Sequence, residues 1–525
     1  MRSCYPRGRP LQAAIYAACL SAFLFFGYDQ GVFGGILQNP HWLATFNYPT
    51  PVITGITVSS YCLGALTGCI TTFFIGDLLG RRRMIWLSMT FIIVGASLQA
   101  SAYSLPHLIV GRVITGIGTG MDSSTVPMYQ SELCKAEWRG RIVAWEIWFI
   151  GIGIVLAYWI DYAFSYVAGE AGWRTPIALQ LIFAVAVVFI VWGLPESPRW
   201  LAKRGREEEA AQVLCDVFDL QRHDPYVLGE MDAIRAAIAI ETGEGAGKAL
   251  SIFKKDKLQT RWRVFLAWFG LVSRRRTPLL FSANVAKFMN QWSGINLVVY
   301  YMPTVLVVNV GMTAHRAQLI AGFVILMFPV GNTLPALALD RMGRKMTMMI
   351  GCGILSFSML MITILLSFGK PTTSTASIAF FFLYMLVFGA TVNVVPWVWG
   401  PEILPLEARA RGVAISVSSH WMCKSRINRP HFTAKANERP GNFCIVMITP
   451  VLLNNIGWAT YIIFTVLLAA FVPIVYFCYP ETSRLSLESI DNLFLPADYQ
   501  VRGGSISYDP AGKGVTEYAD SGEKV

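Results

Sequence analysis

The sequence predicts an all-α membrane protein: twelve transmembrane helices in two six-helix bundles, with short cytoplasmic helices between them. Three observations predict it. The 525 residues are 54% hydrophobic and only 14% charged, which is far more apolar sequence than one or two soluble cores bury. Apolar runs recur twelve times, all but the eleventh long enough to cross a bilayer. A charged turn between two such runs occurs twice, as Asp77-Leu-Leu-Gly80-Arg81-Arg82 and as Asp340-Arg-Met-Gly343-Arg344-Lys345, each after the second run of its half.

The first six runs cover about 11–36, 52–75, 84–104, 107–128, 141–160 and 175–194. The second six cover about 288–309, 317–339, 346–368, 375–400, 410–423 and 456–479. The first run is too long for a signal-peptide core and ends without a small-residue cleavage site, so it is expected to stay in the protein. Lys and Arg gather in alternate loops: before run one, at Arg81 to Arg83, at Lys135 to Arg141, at Arg341 to Lys345, and at Arg409 and Arg411. Loops 38–51 and 101–107 have none. Basic residues are retained on the cytoplasmic side, so both termini are expected there, in a multi-pass protein of the plasma membrane. The predicted organisation is an N-terminal bundle over 1–194, an amphipathic cytoplasmic linker over 195–262, a C-terminal bundle over 263–494 and a disordered tail over 495–525.

Other features recur with the charged turn. Glu132 is followed seven residues on by Arg139, and Glu402 by Arg409; Pro195-Glu196 closes the first half as Pro480-Glu481 closes the second. Together these make a parallel repeat of six spans. In each half the basic residues of the turn can pair with its own carboxylate and with the Glu of the next hairpin. This predicts a cytoplasmic latch of Asp77, Arg81, Glu132 and Arg139, repeated as Asp340, Arg344, Glu402 and Arg409. A topology signal alone would also account for it.

Further residues extend the pattern: Gly27-Tyr-Asp29-Gln-Gly31, Gly111-Arg112, Pro127-x-Tyr129-x-x-Glu132, Tyr158-Trp-Ile-Asp161, Gln291-x-x-Gly294-x-Asn296 with Tyr300-Tyr301, and Pro396-Trp397. In order and at the right spans, they resemble the sugar porter family of the major facilitator superfamily, closest to its fungal-type members. The resemblance covers nearly the whole chain and implies the major facilitator fold, with transport by alternating access.

Asp29 lies inside span one, where a carboxylate is costly unless it is paired or faces a water-filled cavity. Arg112 in span four is its expected partner. The resemblance implies that Asp29 takes up a proton and Arg112 modulates it; a static buried pair is the structural alternative. Sugars need planar amides and an aromatic face, because each hydroxyl both donates and accepts and the ring's CH face stacks. Span seven offers Asn290, Gln291 and Asn296 on one helical face, where the family usually has two glutamines at the first two positions. The resemblance makes Trp397 the stacking residue and Tyr300 and Tyr301 the gate. Asn332 of span eight matches no ligand position cleanly.

Span five departs from the family: a glutamine position holds Ile147, preceded by Glu146. Glu146 lies about 10 Å of helix rise beyond Arg139, deep enough to bind hydroxyls or a second proton, or to pack between helices. The Gly116-x-Gly118-x-Gly120 pattern lies within a span and is expected to pack helices closely, with no nucleotide fold before it. Basic loops facing the cytoplasm account for the basic character of the chain, so nucleic acid is not an expected partner; the lipid bilayer is. The ten cysteines show no metal or disulfide spacing, and no cofactor is expected.

Two segments do not belong. Span seven starts as Phe265-Leu-Ala-Trp-Phe-Gly-Leu271 and is interrupted by 272–287, with Arg274, Arg275, Arg276 and a proline, before resuming at Phe288. Such residues inside a membrane helix are close to prohibitive. Span eleven is broken by the basic stretch 424–441; its removal joins His420-Trp421-Met-Cys423 to Asn442-Phe443 and resembles the family's Asn-Trp-x-x-Asn-Phe, with Asn442 as a substrate ligand. Val272-Ser273 is what a GTRAGT splice donor encodes, and Ala283-Asn284 and Ala436-Asn437 are what the branch sequence GCTAAC encodes. Both segments therefore read as translated introns, each carrying a net charge of +4, with genuine loops that break these helices as the alternative.

The expected function is proton-coupled symport of a monosaccharide or polyol. A facilitative uniporter and a non-transporting sugar sensor are the alternatives, and no nucleophile, base or metal cluster suggests an enzyme.

Overall fold

A computed structural model describes residues 4–135, 139–242, 288–403, 442–479 and 481. The described elements are helices throughout. The first half contains α1 (Arg9–Ile36), the short α2 (Pro40–Thr45), α3 (Pro51–Leu79), α4 (Arg81–Ala100), α5 (Leu105–Leu133), α6 (Arg139–Phe164) and α7 (Ala171–Trp192). The linker forms α8 (Pro198–Lys203), α9 (Glu207–Phe218) and α10 (Pro225–Thr242). The second half has a π turn (Gln291–Ile295) leading into α11 (Asn296–Val308), then α12 (Ala314–Met342), α13 (Arg344–Ser367), α14 (Pro371–Ala390), α15 (Val395–Ile403), α16 (Asn442–Asn455) and α17 (Thr460–Cys478).

Nine of the described helices are long and apolar enough to cross a membrane. The polar fourth span α5, the kinked seventh span ending in α11, and α16 complete the twelve, with α14 and α15 forming one broken span. Tail residues 495–525, linker residues 243–262 and both suspected inserts lie outside the described residues.

The duplication is visible in the packing. In the first half α3 packs on α5, α4 on α5 and on α7, and α1 on α6. The equivalent spans of the second half pair the same way: α12 with α14, α13 with α14 and α17, and α11 with α16. The halves meet through α1 with α11, α3 with α16, and α6 with α12. The glycines of span four let α5 sit between its neighbours. A Cβ on Gly116 or Gly120 would strike the α3 backbone at 2.3 and 2.0 Å, and one on Gly118 the α4 backbone at 2.6 Å.

The linker helices sit against the first half. Three glutamates open α9, where the helix dipole favours negative charge, and one face buries Ala210, Val213, Leu214 and Val217. Gln12 donates to the Val217 carbonyl, and Arg7 pairs with Asp216 at 2.7 Å. We call this side of the protein the linker face.

Candidate functional site

Asp29 and Arg112 meet inside the first half, both fully buried, with Nη1 to Oδ1 at 3.4 Å. A buried guanidinium must satisfy its donors and its charge together. Nη2 donates to the Val58 carbonyl at 3.3 Å, and the group lies 4.2 Å from the Phe33 ring centre and 4.7 Å from that of Tyr61. Val58 and Tyr61 both belong to α3, so Arg112 is held by α3 independently of Asp29. Tyr61 also faces the Asp29 carboxylate, and Tyr300 of α11 is within electrostatic reach of both charges. The field of the ion pair thus extends to the helix that opens the second half.

Asn290, Gln291 and Asn296 do come together, but not along a straight helical face as expected. Gly294 has φ 98°, a conformation glycine adopts without penalty, and the chain makes a π turn there. The wider turn brings residues five apart into contact: Asn296 donates to Gln291 Oε1 at 2.9 Å and Gln291 donates to Asn290 Oδ1 at 3.0 Å. Asn290 in turn donates to the Val392 carbonyl at 2.9 Å. That carbonyl is free because Pro396, four residues on, has no N–H to return to it.

The same rule accounts for two more contacts. Pro303 frees the Val299 carbonyl, and Tyr158 of α6 donates to it across the two halves at 2.6 Å. Pro450 frees the Val446 carbonyl, which accepts from Tyr301 at 2.9 Å. Near the face opposite the linker, Gln318 donates to the Gly35 carbonyl at 3.0 Å and Gln38 to Thr304 at 2.7 Å, so the halves are bonded together there. Deeper in, Asn393 donates to Asn332 at 3.1 Å and Asn332 to the Ile147 carbonyl at 3.4 Å. Trp397 is half-buried as the third residue of α15, just past the break between α14 and α15.

On the linker face three residues of the first expected latch, Asp77, Arg81 and Glu132, come together. Arg81 pairs with Asp77 at 3.0 Å and with Glu132 at 3.2 Å, and Lys203 of α8 reaches Asp77 at 2.8 Å. Burial acts to raise the Asp77 carboxyl, but Lys203 and Arg81 outweigh it and hold the group down at about 2. Its share of stability is present above the ordinary carboxylate value near ~4 and is lost as pH falls toward 2, so the contribution of Asp77 does not change near neutrality.

A further carboxylate caps each of the two charged turns from behind. Glu196 accepts from the Arg81 N–H at 2.8 Å and the Arg82 N–H at 3.2 Å, and Glu481 accepts from those of Arg344 at 2.8 Å and Lys345 at 3.0 Å. Each cap sits over the first turn of a helix, where its donors lack partners and the dipole favours an anion. The preceding Gly80 and Gly343 have φ 89° and 82°, and a Cβ on either would meet the capping carboxylate at 2.7 or 2.6 Å. Gly80→Val is therefore expected to cost about 1–3 kcal/mol and to lower the thermal unfolding midpoint in detergent; an unchanged midpoint would refute the role given to the turn.

A family model described as "Sugar (and other) transporter" matches residues 14–494. The chain belongs to this family. It is 36% identical over 488 residues to the MFS-type transporter oryC of Aspergillus oryzae, covering 91% of this chain and 85% of that protein. It is 29% identical over 509 residues to Sugar transporter STL1 of Saccharomyces cerevisiae, covering 93% and 82%. Among solved structures it is similar to the inward-open conformation of the xylose transporter XylE from E. coli, with a TM-score of 0.70 at 20% identity, covering 92% of this chain and 99% of that one. That likeness shows the fold, the twelve-helix major facilitator architecture. The protein is a multi-pass membrane transporter of this family rather than an enzyme.

Within this sugar (and other) transporter, several predicted positions lie outside the described side chains: Asn442, Arg139, Asp340, Glu402 and Arg409. Sequence reasoning assigned no role to Tyr158, Asn393, Glu196 or Glu481, and gave Asn332 none. The acceptor of Tyr158 could have been found from Pro303, which marks an open carbonyl four residues earlier, but not Tyr158 itself.

Proposed function

We propose that the protein is a proton-coupled symporter of a monosaccharide or polyol, working by alternating access of its two six-helix bundles. The observation that carries this reading is the fully buried Asp29–Arg112 pair. Protonation of Asp29 removes the charge that Arg112 balances, yet Arg112 keeps Val58, Phe33 and Tyr61. Span one then loses its ion pair with span four while keeping the contact of Phe33 with the guanidinium, and span one also carries Gly35 and Gln38, which bond the second half. Loss of one proton-dependent contact thus bears on the contacts that close the face opposite the linker.

The substrate would bind against the amides Asn290, Gln291 and Asn296, with Trp397 as stacking face, Tyr300 and Tyr301 as gate, and Asn442 from span eleven. Amides already bonded in series can exchange partners with sugar hydroxyls at little desolvation cost. The Lys and Arg distribution supports a cytoplasmic linker face and cytoplasmic termini, and the plasma membrane is the membrane proposed. The names of two similar proteins, a sugar transporter and a proton:xylose symporter, support the same reading.

The test is uptake of labelled hexoses, pentoses, disaccharides, polyols and quinate in cells lacking their own carriers. At least one sugar or polyol is expected to accumulate, and Gln291→Ala to raise its KM about tenfold, the loss of roughly one hydrogen bond to a neutral partner. Transport of quinate alone would reject the substrate class.

A further inference from the structure

The mechanism above leaves unused a second pair of acidic side chains in the first half. Asp122 of α5 and Glu146 of α6 are 1% and 2% exposed, and each carboxylate lies within the other's electrostatic reach. Asp122 Oδ1 is 3.4 Å from the Ser88 hydroxyl of α4. Glu146 Oε1 has no hydrogen-bond partner at all. Among the described side chains neither acid has an ion-pair partner. The ionisable group facing both from α1 is Cys19, itself buried, with Cys134 beyond it.

Two buried carboxylates with no cation cannot both stay ionised, because each desolvated charge is costly and the two repel. Glu146 is the seat for a proton, since its free oxygen has no donor to support an anion. We propose that Asp122 and Glu146 form a proton-binding site that holds one proton on Glu146 and releases it only when water reaches it from the linker face. The proposal rests on the proton-coupled reading and adds a second station to it.

Its position follows from the helices. Cys19 lies ten residues before Asp29 on α1, and Asp122 ten residues after Arg112 on α5. Both displacements run toward the linker face and amount to about 15 Å of helix rise. A proton leaving Asp29 for that face therefore passes the level of this pair. Access there is set by contact between the halves. The α6 segment carrying Glu146 is docked on the second half through Asn332, which bonds the carbonyl of the next residue, Ile147. While this contact holds, the pair stays dry and keeps its proton. When it opens, water solvates the pair, Glu146 gives its proton to water as hydronium, and the site passes from net charge −1 to −2.

Infrared spectroscopy of the purified full-length protein tests the site without any substrate. At neutral pH the wild type is expected to show a protonated-carboxyl C=O band that moves when glutamate is labelled with 13C at its carboxyl, and that disappears in Glu146→Gln. Absence of a glutamate-sensitive band in the wild type, which needs no variant to fold, overturns the proposal; so does persistence of the band in Glu146→Gln. The release role is read in cells or vesicles with the labelled sugar or polyol that the uptake panel identifies. At fixed external pH, raising internal pH by one unit is expected to speed wild-type uptake several-fold, and Glu146→Gln to flatten that dependence. Unchanged dependence overturns the release role. If no panel member is transported, the sugar reading fails while the infrared result still decides the proton site.

Discussion

Asp29→Asn is expected to abolish uphill accumulation while leaving exchange of labelled for unlabelled substrate across the membrane largely intact. The substitution keeps the shape of the side chain and removes its proton-dependent charge. Arg112 does not become an orphan in the variant, because the Val58 carbonyl and the rings of Phe33 and Tyr61 remain around it. The protein should therefore fold and change state as though permanently protonated. The effect on accumulation is large because the lost driving force is large. One pH unit is worth about 1.4 kcal/mol, a tenfold gradient, and 100 mV across the membrane adds about 2.3 kcal/mol per charge. Wild-type cells held at pH 5 outside should concentrate the substrate by more than tenfold, and the variant should equilibrate it near unity. A variant that still accumulates fully would remove Asp29 from coupling. A wild type that never exceeds unity would make the protein a uniporter, with the ion pair a static brace between α1 and α5.

The architecture was legible from the sequence because a bilayer leaves the chain few choices: apolar runs of sufficient length must be helices, and charged turns must lie between them. The same duplicated turn led to Arg81, Asp77 and Glu132, which are bonded as their spacing suggested. Asp29 and Arg112 were legible for a related reason, as charges too deep to stand alone. The amide chain of span seven was less so, since helical spacing puts Asn296 off the side chain of Gln291, and only the Gly294 π turn joins them. The acceptors Val299, Val392 and Val446 were present in the sequence as Pro303, Pro396 and Pro450, though which donor takes each depends on how the helices are arranged. Asp122 stayed hidden because its meaning comes from Glu146, on a different helix. A lone carboxylate beside Ser123 and Ser124 in a glycine-rich span reads as packing until its neighbour is known.

A chain lacking 272–287 and 424–441 is expected to insert and transport at least tenfold better than one that retains them. The described helices supply the physical reason. From Phe288 to Val308 span seven has 21 residues, and its amides begin at the third of them, at the edge of the span rather than near its middle. Joining residues 264–271 directly to Phe288 gives 29 residues, the length of α3, α5 and α12, and moves Asn290 and Gln291 inward by about 12 Å. The described part of span eleven, Asn442–Asn455, has 14 residues and reaches about 21 Å, short of a hydrocarbon core near ~30 Å. Joining 410–423 to it gives 28, the length of α1. The retained segments work against insertion as well: Arg274, Arg275 and Arg276 would each cost about 2.5–3.5 kcal/mol at the centre of a membrane helix. We therefore infer that both are introns read through in translation. Transcript sequencing should find a dominant message shorter by 48 and 54 nucleotides, the coding lengths of the 16 and 18 residues. The two forms, tagged and compared for surface abundance and uptake, provide the second measurement. A dominant message that keeps both segments, encoding a chain that transports as well as the shortened one, would show that these helices tolerate the interruptions and would return Asn442 to a loop end rather than a substrate site.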